Sequence, residues 1–559
     1  MVAVLDMGAS ATRLVVIEIA PDRTVRTLEE ASRGILLGRD TFSSGVIRSS
    51  TIDAVISALD GFRHVMEEYA VTRVRAVATS AVREARNVDV FLDRVHRRTG
   101  IEFEIINEAE EARLLYLAVK HTLSRHAALH RAWTLLTEVG GGSTSVTLLR
   151  QGQPHRSAVY ALGAVRLRQA LHLQRLTHDV QLAILKRSIT NVIQEIRLDI
   201  PMRRVSQLIA LGAIRLRQAL HLQRLTHEVQ LAILKRSITN VIQEIRLDIP
   251  MRRVSQLIAI GGDVRFAAAQ ILHDANAADG LREVPRDKFL EFCSEVERLD
   301  EDQLIERFRL PATQAETLLP SLLVYRTLLA ETGARSLVVS DATLRTGASL
   351  DLAETGARSI EEFEGQVLAS AEALGEKHRF DRAHGRHVAM LAGRLFDLLE
   401  GEHSLTRRHR LLLLVAALLH DIGLYVSLRQ HHKHSQYLLA ASQIFGLTDD
   451  ETAIVANIAR YHRRGFPARS HLPYVALDRE DRLVVNHLAG ILRVANALDA
   501  EHLQKVRELR LVRRGRAWTL ELNGEGDLTM EQLAATARAD LFAETFGHEL
   551  VIRPSGVTS

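Results

Sequence analysis

The chain has one cysteine, Cys293, in 559 residues. A disulfide scaffold is therefore excluded, and a lone thiol fits a reducing, cytoplasmic setting. No apolar run reaches the roughly 18 residues that a membrane span needs, so no membrane partner is expected. The N-terminus enters a strand-like run, Val2–Leu5, without a basic region or cleavage site, and no signal peptide is expected there. A dominant charge is also missing, because 72 Lys and Arg against 68 Asp and Glu leave only +4. That balance suits a mixed solvated surface better than a nucleic-acid footprint, while a local arginine channel for a polyanion stays open. The composition, 47% hydrophobic and 25% charged, is that of a globular protein, and the length implies several domains.

What is present is a pair of glycine-bearing turns, each beside an acid and each after a short apolar run. The first is Asp6-Met7-Gly8-Ala9-Ser10-Ala11-Thr12-Arg13, and the second is Glu138-Val139-Gly140-Gly141-Gly142-Ser143-Thr144. Glycine permits positive φ and close approach to a ligand. Successive backbone N–H groups form an anion site, and a neighbouring acid can hold a divalent cation. Two such turns facing one cleft would grip a phosphate chain from both sides.

Val2–Leu5, Arg13–Ile19 and Thr24–Glu29 read as an antiparallel meander, followed by a helix, the strand Val74–Thr79, the strand Phe103–Ile106 and a helix over 109–126. Residues 133–149 restart the pattern, which predicts pseudo-symmetric lobes over 1–125 and 126–350. Leu162–Ala210 and Leu211–Ala259 are a tandem repeat differing only at Val165/Ile214 and Asp179/Glu228. Two near-identical copies make no solenoid. The expectation is that one copy docks while the other forms a helical excursion. The alternative is a hybrid of the start of copy one and the end of copy two. The stretch 346–358, containing Gly and Ala, reads as a linker. Residues 360–505 are helical, and twelve of the 25 histidines lie between His384 and His502. Residues 506–559 alternate like a small sheet.

Cleaving a phosphoanhydride requires a grip on phosphate, neutralisation of charge and a base to orient water. The turns supply the grip. Asp6 and Glu138 are the carboxylates for a metal, Mg²⁺ by chemistry, and no organic cofactor is expected. The base is sought among Glu108, Glu110 and Glu111 at one helix start, where like-charge crowding would raise a pKa.

The order of these motifs resembles the exopolyphosphatase / guanosine pentaphosphate phosphohydrolase family. The matching segments are Val4 to Arg13, Ala78-Thr79-Ser80-Ala81-Val82-Arg83 to Asn87, Ile105 to Leu114, Gly140 to Thr144, Leu162 to Leu167 and Val339-Ser340-Asp341. The resemblance implies a two-lobed α/β ribonuclease H-like domain of the acetate kinase–actin–sugar kinase type, followed by an all-α HD-type domain. It implies Glu111 as catalytic base. It also implies phosphate contacts from Gly8, Ser10, Arg13, Ser80, Arg83, Gly140, Gly141, Gly142, Ser143 and Thr144. The implied activity is Mg²⁺-dependent release of orthophosphate from the end of polyphosphate by a homodimer. The alternatives are pppGpp 5′-phosphohydrolysis, or a catalytically impaired sensor of polyphosphate or nucleotide. The sequence departs from the family pattern at Ala9, Ser10, Glu138, Ser145 and Asp263.

In the rear half, His384, the pair His420-Asp421, and Asp499 form a second metal set that resembles an HD phosphohydrolase site. Asn496 stands where its last acid would fall, and Asp499 would replace it. The other reading makes these histidines structural or phosphate-facing, with Lys433, Arg460, Arg463, Arg464 and Arg493 forming a polyphosphate track.

Overall fold

The apolar run at the N-terminus becomes the middle strand of a sheet. The computed structural model describes residues 1–123, 133–172, 227–273, 280–353, 357–463, 465–514 and 517–555. Strand β1 (Val2–Met7) is buried along its whole length. It turns back antiparallel into β2 (Thr12–Ile19), and β2 into β3 (Val25–Arg33). On the other side of β1, β4 (Arg73–Ala78) and β5 (Glu104–Ile105) join in parallel, giving the order β3-β2-β1-β4-β5.

The second sheet repeats this plan. Strands β6 (Trp133–Val139), β7 (Thr144–Arg150) and β8 (Gln153–Tyr160) form the meander, and β9 (Gln256–Ile260) lies parallel to β6. Antiparallel β10 (Leu281–Pro285) flanks β11 (Ser336–Ser340), which is parallel to β9. Even the turn registers coincide, with Met7 opposite Thr12 in one lobe and Val139 opposite Thr144 in the other.

Between the sheets runs the helix Glu108–Leu123. Its Leu114, Leu115, Tyr116, Ala118 and Val119 pack in one core with Val2, Val4 and Val77 of the first sheet and Leu136, Ile258 and Ile260 of the second. This shared core fixes the lobes against the helix that carries Glu111. The linker expected over 346–358 is replaced by the helix Leu344–Ala353 and, beyond the undescribed residues 354–356, the helix Ala357–Lys377. Gly347 is small for a packing reason. The helices Leu344–Ala353 and Glu108–Leu123 cross in backbone contact there, and a Cβ on Gly347 would lie 1.9 Å from the Leu114 carbonyl oxygen.

Strand β8 leads into the helix Ala164–His172, which belongs to the first copy of the repeat, whereas the helix His227–Asp248 and β9 belong to the second. His227 corresponds to His178 in the first copy, so these pieces are complementary parts of one unit, the hybrid arrangement. Connectivity explains it: only copy one starts beside β8, and only copy two runs into Gly261-Gly262-Asp263. The expected excursion falls in residues 173–226, outside the described residues.

The rear half is a helical bundle built on Arg382–Leu398, Arg407–Leu419, His431–Ala440, Asp449–Arg460 and Arg479–Ala497. A three-stranded sheet, β12 (Val506–Arg514), β13 (Ala517–Gly524) and β14 (Glu549–Pro554), shares its core through Val506, Trp518, Leu520, Leu522, Leu550 and Ile552. Among the described residues no helix is long and apolar enough to cross a membrane.

Gly347→Ala should destabilise the protein by about 1–3 kcal/mol, because the clash is with backbone and no rotamer relieves it. Gly61→Ala, inside the helix Ser49–Glu68 with open space around it, should instead stabilise by about 0.5–1 kcal/mol. Denaturant unfolding of both variants checks the pair, and equal stabilities would contradict the crossing.

Candidate active site between the lobes

Each hairpin turn is closed by the same hydrogen bond. Gly8 N–H donates to Ala11 O at 3.0 Å, and Gly140 N–H to Ser143 O at 2.9 Å. None of Gly8, Gly140, Gly141 and Gly142 adopts positive φ; of the glycine turns only the third does, with Gly261 at φ 138°. The glycines of the first two turns therefore serve close approach, not unusual dihedrals. A Cβ on Gly141 would lie 2.9 Å from the Ala9 Cβ, and one on Gly142 would lie 2.3 Å from Ser80 Oγ. The tips of both turns and the short helix Ser80–Arg83 thus meet at one place, as the sequence predicts for a shared cleft.

Asp6 lies opposite Arg13 across the first hairpin, and Glu138 occupies the equivalent place opposite Ser145. Asp6 Oδ2 is 3.4 Å from Arg13 Nη1 and 3.6 Å from Arg345 Nη1. The three acids opening the Glu108–Leu123 helix have different fates. Glu108 accepts from Arg83 at 2.9 Å and from Gln443 at 3.1 Å. Glu110 accepts from Arg75 and Arg113. Glu111 is left over: its Oε2 is buried without a hydrogen bond, and Arg83 Nη1 stands 3.9 Å away.

Burial pushes the Glu111 carboxyl up to about 7, against the pull of Arg83 and with help from Asp6 and Glu108. Crowding within the helix, the cause expected from sequence, is secondary to desolvation. Burial likewise pushes Glu138 up to about 8, with Glu111 and Asp6 adding to it and Arg265 and Arg13 opposing. Asp263, in the third turn, rises to about 6 through burial despite hydrogen bonds from Thr317 and Ser321. Asp6, Glu111 and Glu138 therefore feel one another in one crevice.

Other expected residues are placed differently. The Thr144 side chain is fully buried, and its hydroxyl donates to the Leu162 carbonyl, away from the cleft. Arg83 donates to the Ile106 carbonyl at 2.6 Å as well as to Glu108, so it braces the first turn of the Glu111 helix. Ser80 and Ser143 are buried where the turns meet, and Ser10 is half-buried at the first tip. Sequence reasoning missed Arg265 and Arg345. Both follow the ends of strands in the second lobe, but nothing in their spacing shows that they turn back to Glu138 and Asp6. It also missed Tyr325, whose hydroxyl accepts from Val139 N–H at 2.9 Å and donates to the Ile260 carbonyl, tying the second turn to the third.

The donors of Asp6 and Glu138 are hard oxygens of the kind Mg²⁺ takes. Among the described residues, the groups whose ligand atoms converge within 4.8 Å lie instead in the helical half: His384, Asp421 and His502, and Asp421, His431 and His462. His384 Nδ1 is held by Asp499 Oδ2 at 2.8 Å, and its Nε2 is 3.2 Å from Asn496 Oδ1. Asp499 thus orients His384, and its other oxygen accepts from Gln504 N–H. The proposed polyphosphate track loses Arg493, which is fully buried and donates to Asp540 and to the carbonyls of Tyr461 and Gly465. Arg464 lies outside the described residues.

The raised carboxyls fix the sign of a pH effect. Between about pH 4.5 and 8 the metal-free folded chain holds protons on Glu111 and Glu138 that the unfolded chain has released, so stability falls as pH rises through that window. The loss should be on the order of a few kcal/mol, and Glu138→Gln should remove much of the slope. Denaturant unfolding in chelator from pH 5 to 8.5 measures it. An unchanged slope in the variant would mean that Glu138 is not buried as described.

Residues 15–245 match the Ppx/GppA phosphatase family, and residues 368–541 match Ppx/GppA phosphatase, domain III. Exopolyphosphatase 1 of Mycobacterium tuberculosis (strain ATCC 25618 / H37Rv) is 31% identical over 164 residues, 29% of this chain and 46% of that protein. The Guanosine-5'-triphosphate,3'-diphosphate pyrophosphatase of Aliivibrio fischeri (strain ATCC 700601 / ES114) is 25% identical over 148 residues, 26% of this chain and 29% of that protein. The chain thus spans less than half the length of these curated relatives. Among solved structures, an exopolyphosphatase from Cytophaga hutchinsonii is 20% identical with a TM-score of 0.48, covering 64% of this chain and 99% of its own. An Aquifex aeolicus member of the Ppx/GppA family has the same identity and coverage, with a TM-score of 0.46. Two successive segments, one in the lobes and one in the helical half, carry the same assignment: the chain belongs to the Ppx/GppA phosphatase family.

Proposed function

We propose that the protein is a phosphoanhydride hydrolase that releases orthophosphate from the end of inorganic polyphosphate. The observation that carries this reading is Glu111: a buried carboxylate with an unpartnered oxygen, in the crevice where two glycine turns meet, with its pKa pushed up to about 7. A base with that pKa exchanges protons near neutrality. Exopolyphosphatase 1 of Mycobacterium tuberculosis is a relative with the activity in its name.

In this reading the backbone N–H groups of both turns, with Arg13, hold the terminal phosphates. Arg265 and Arg345 add positive charge from the second lobe. Glu111 accepts a proton from a water molecule as the water oxygen bonds to the outermost phosphorus. The anhydride P–O bond breaks, and the shortened chain leaves with the electron pair. Arg83 keeps the first turn of the Glu111 helix in place. Asp6 and Glu138 would hold Mg²⁺, which would supply neutralisation of the phosphate charge. A homodimer in the cytoplasm belongs to the same reading.

The sensor alternative has its own support. Without a cation, burial raises the Glu138 carboxyl to about 8, so a metal must displace its proton, and Ser145, a departure from the family pattern, lies opposite it across the hairpin. Phosphate release from long-chain polyphosphate and from pppGpp, each with Mg²⁺, separates the readings. Polyphosphate should be the better substrate, with a rate rising through pH 7. Glu111→Gln should lower kcat by about 10²–10⁴. Release unaffected by that change would remove Glu111 as base, and tight binding without release would favour the sensor.

A further inference from the structure

Three consecutive peptide groups of the second glycine turn are gripped by their carbonyls. The segment Gly163-Ala164-Val165-Arg166 follows β8 and opens the helix Ala164–His172. Ala164 N–H donates to Gly140 O at 2.9 Å, Val165 N–H to Gly141 O at 2.9 Å and Arg166 N–H to Gly141 O at 3.0 Å. First-turn donors have no partner inside their own helix, and here the turn supplies an acceptor for each. Gly163 permits the approach, since a Cβ there would lie 2.3 Å from Gly141 O. The third carbonyl, that of Gly142, is held by a side chain: Arg166 Nε donates to it at 2.7 Å.

In a planar trans peptide the N–H points opposite to the carbonyl bonded to it. Pinning the carbonyls of Gly140, Gly141 and Gly142 to the helix therefore turns the N–H groups of Gly141, Gly142 and Ser143 away from it. Those three donors make no hydrogen bond among the described residues. Adjacent free donors on one side of a turn attract an anion. The helix backbone orients two of them, and the third, Ser143 N–H, depends on Arg166.

The same guanidinium reaches the first lobe. Arg166 Nη2 donates to Glu84 Oε1 at 2.5 Å, and its Cζ stands 4.1 Å from the centre of the Phe42 ring. Phe42 lies in the helix Leu37–Ser44, and Glu84 directly follows the short helix Ser80–Arg83, whose Ser80 borders Gly142. The charge of Arg166 is met by Glu84, and its Nε and Nη2 both bond protein atoms.

We propose that Arg166 is a positioning residue for phosphate binding. By holding the Gly142 carbonyl it aims Ser143 N–H, beside those of Gly141 and Gly142, at the phosphate end of the substrate. By holding Glu84 it keeps that turn against the first lobe. The proposal rests on the reading of the crevice as a phosphate site. Losing the side chain frees the Gly142–Ser143 peptide to rotate, which puts a carbonyl oxygen where the anion needs a donor.

The test is titration calorimetry with tripolyphosphate and Mg²⁺, on the full chain carrying Glu111→Gln so that the probe is bound without being consumed. Arg166→Met should weaken binding about tenfold or more, the worth of a hydrogen bond to a charged group. Because the cause is geometry, the ratio of affinities should hold between roughly 0.05 and 0.5 M salt, whereas a lost long-range attraction would be screened away. Arg166→Lys keeps the charge but not the fork that bonds Gly142 O and Glu84 together, and it should still weaken binding. Hydrogen exchange read by mass spectrometry needs no ligand. Peptides covering 138–145 should exchange faster in both variants, as the bond from Gly140 N–H to Ser143 O loosens. Circular dichroism checks folding, and Arg166→Lys decides if Arg166→Met does not fold. A parent chain that binds no tripolyphosphate would remove the phosphate reading, and the exchange measurement alone would then judge the clamp. Equal affinities in the folded variants, a ratio that vanishes in salt, or unchanged exchange over 138–145 would overturn the role of Arg166.

Discussion

The front half is organised around holding three carboxylates in one crevice. Asp6, Glu111 and Glu138 come from two strands and a helix; burial makes Glu111 and Glu138 harder to ionise, Asp6 adds to both, and Glu111 adds to Glu138. Such a cluster is costly in the absence of counter-charge. The surrounding structure answers with arginines: Arg13 and Arg345 on Asp6, Arg83 near Glu111, and Arg265 towards Glu138. The balance is incomplete, and a crevice in that state is suited to receiving a cation together with a polyanion.

Much of the front half was legible because its signals are local. Short apolar runs interrupted by glycine turns gave both meanders, and their recurrence gave the two lobes. Glu111 was one of three adjacent acids until the fold paired Glu108 with Arg83 and Glu110 with Arg113, so tertiary partners made the choice. What misled was composition read without context. Gly347 and Ala348 suggested a linker but mark a helix crossing, and the triple glycine suggested positive φ but serves contact with Ala9 and Ser80. The repeat could not be resolved from sequence because its copies are nearly identical. Only their neighbours in the chain distinguish them.

The rear half was legible in outline and not in detail. The His420-Asp421 pair stood out, but its partners were sought at Asp499, which the fold uses to hold His384. His431 opens another helix and His462 follows the end of a third, and distances across a bundle leave no trace in spacing along the chain. Arg493 shows the converse: a charged residue in an apparently basic set lies wholly inside, neutralised by Asp540.

The first turn of the Glu111 helix is also held from the far half of the molecule. Asn107 accepts from Glu110 N–H and donates to the Leu447 carbonyl and to Asp449, while Phe445 packs edge-on against Tyr116 within the interlobe core. The front and rear halves are consequently not separable machines. Cutting the chain after the lobes would strip an aromatic plug from between them and release the anchor four residues ahead of Glu111. The helical half is thus part of the mounting on which that carboxylate is aimed.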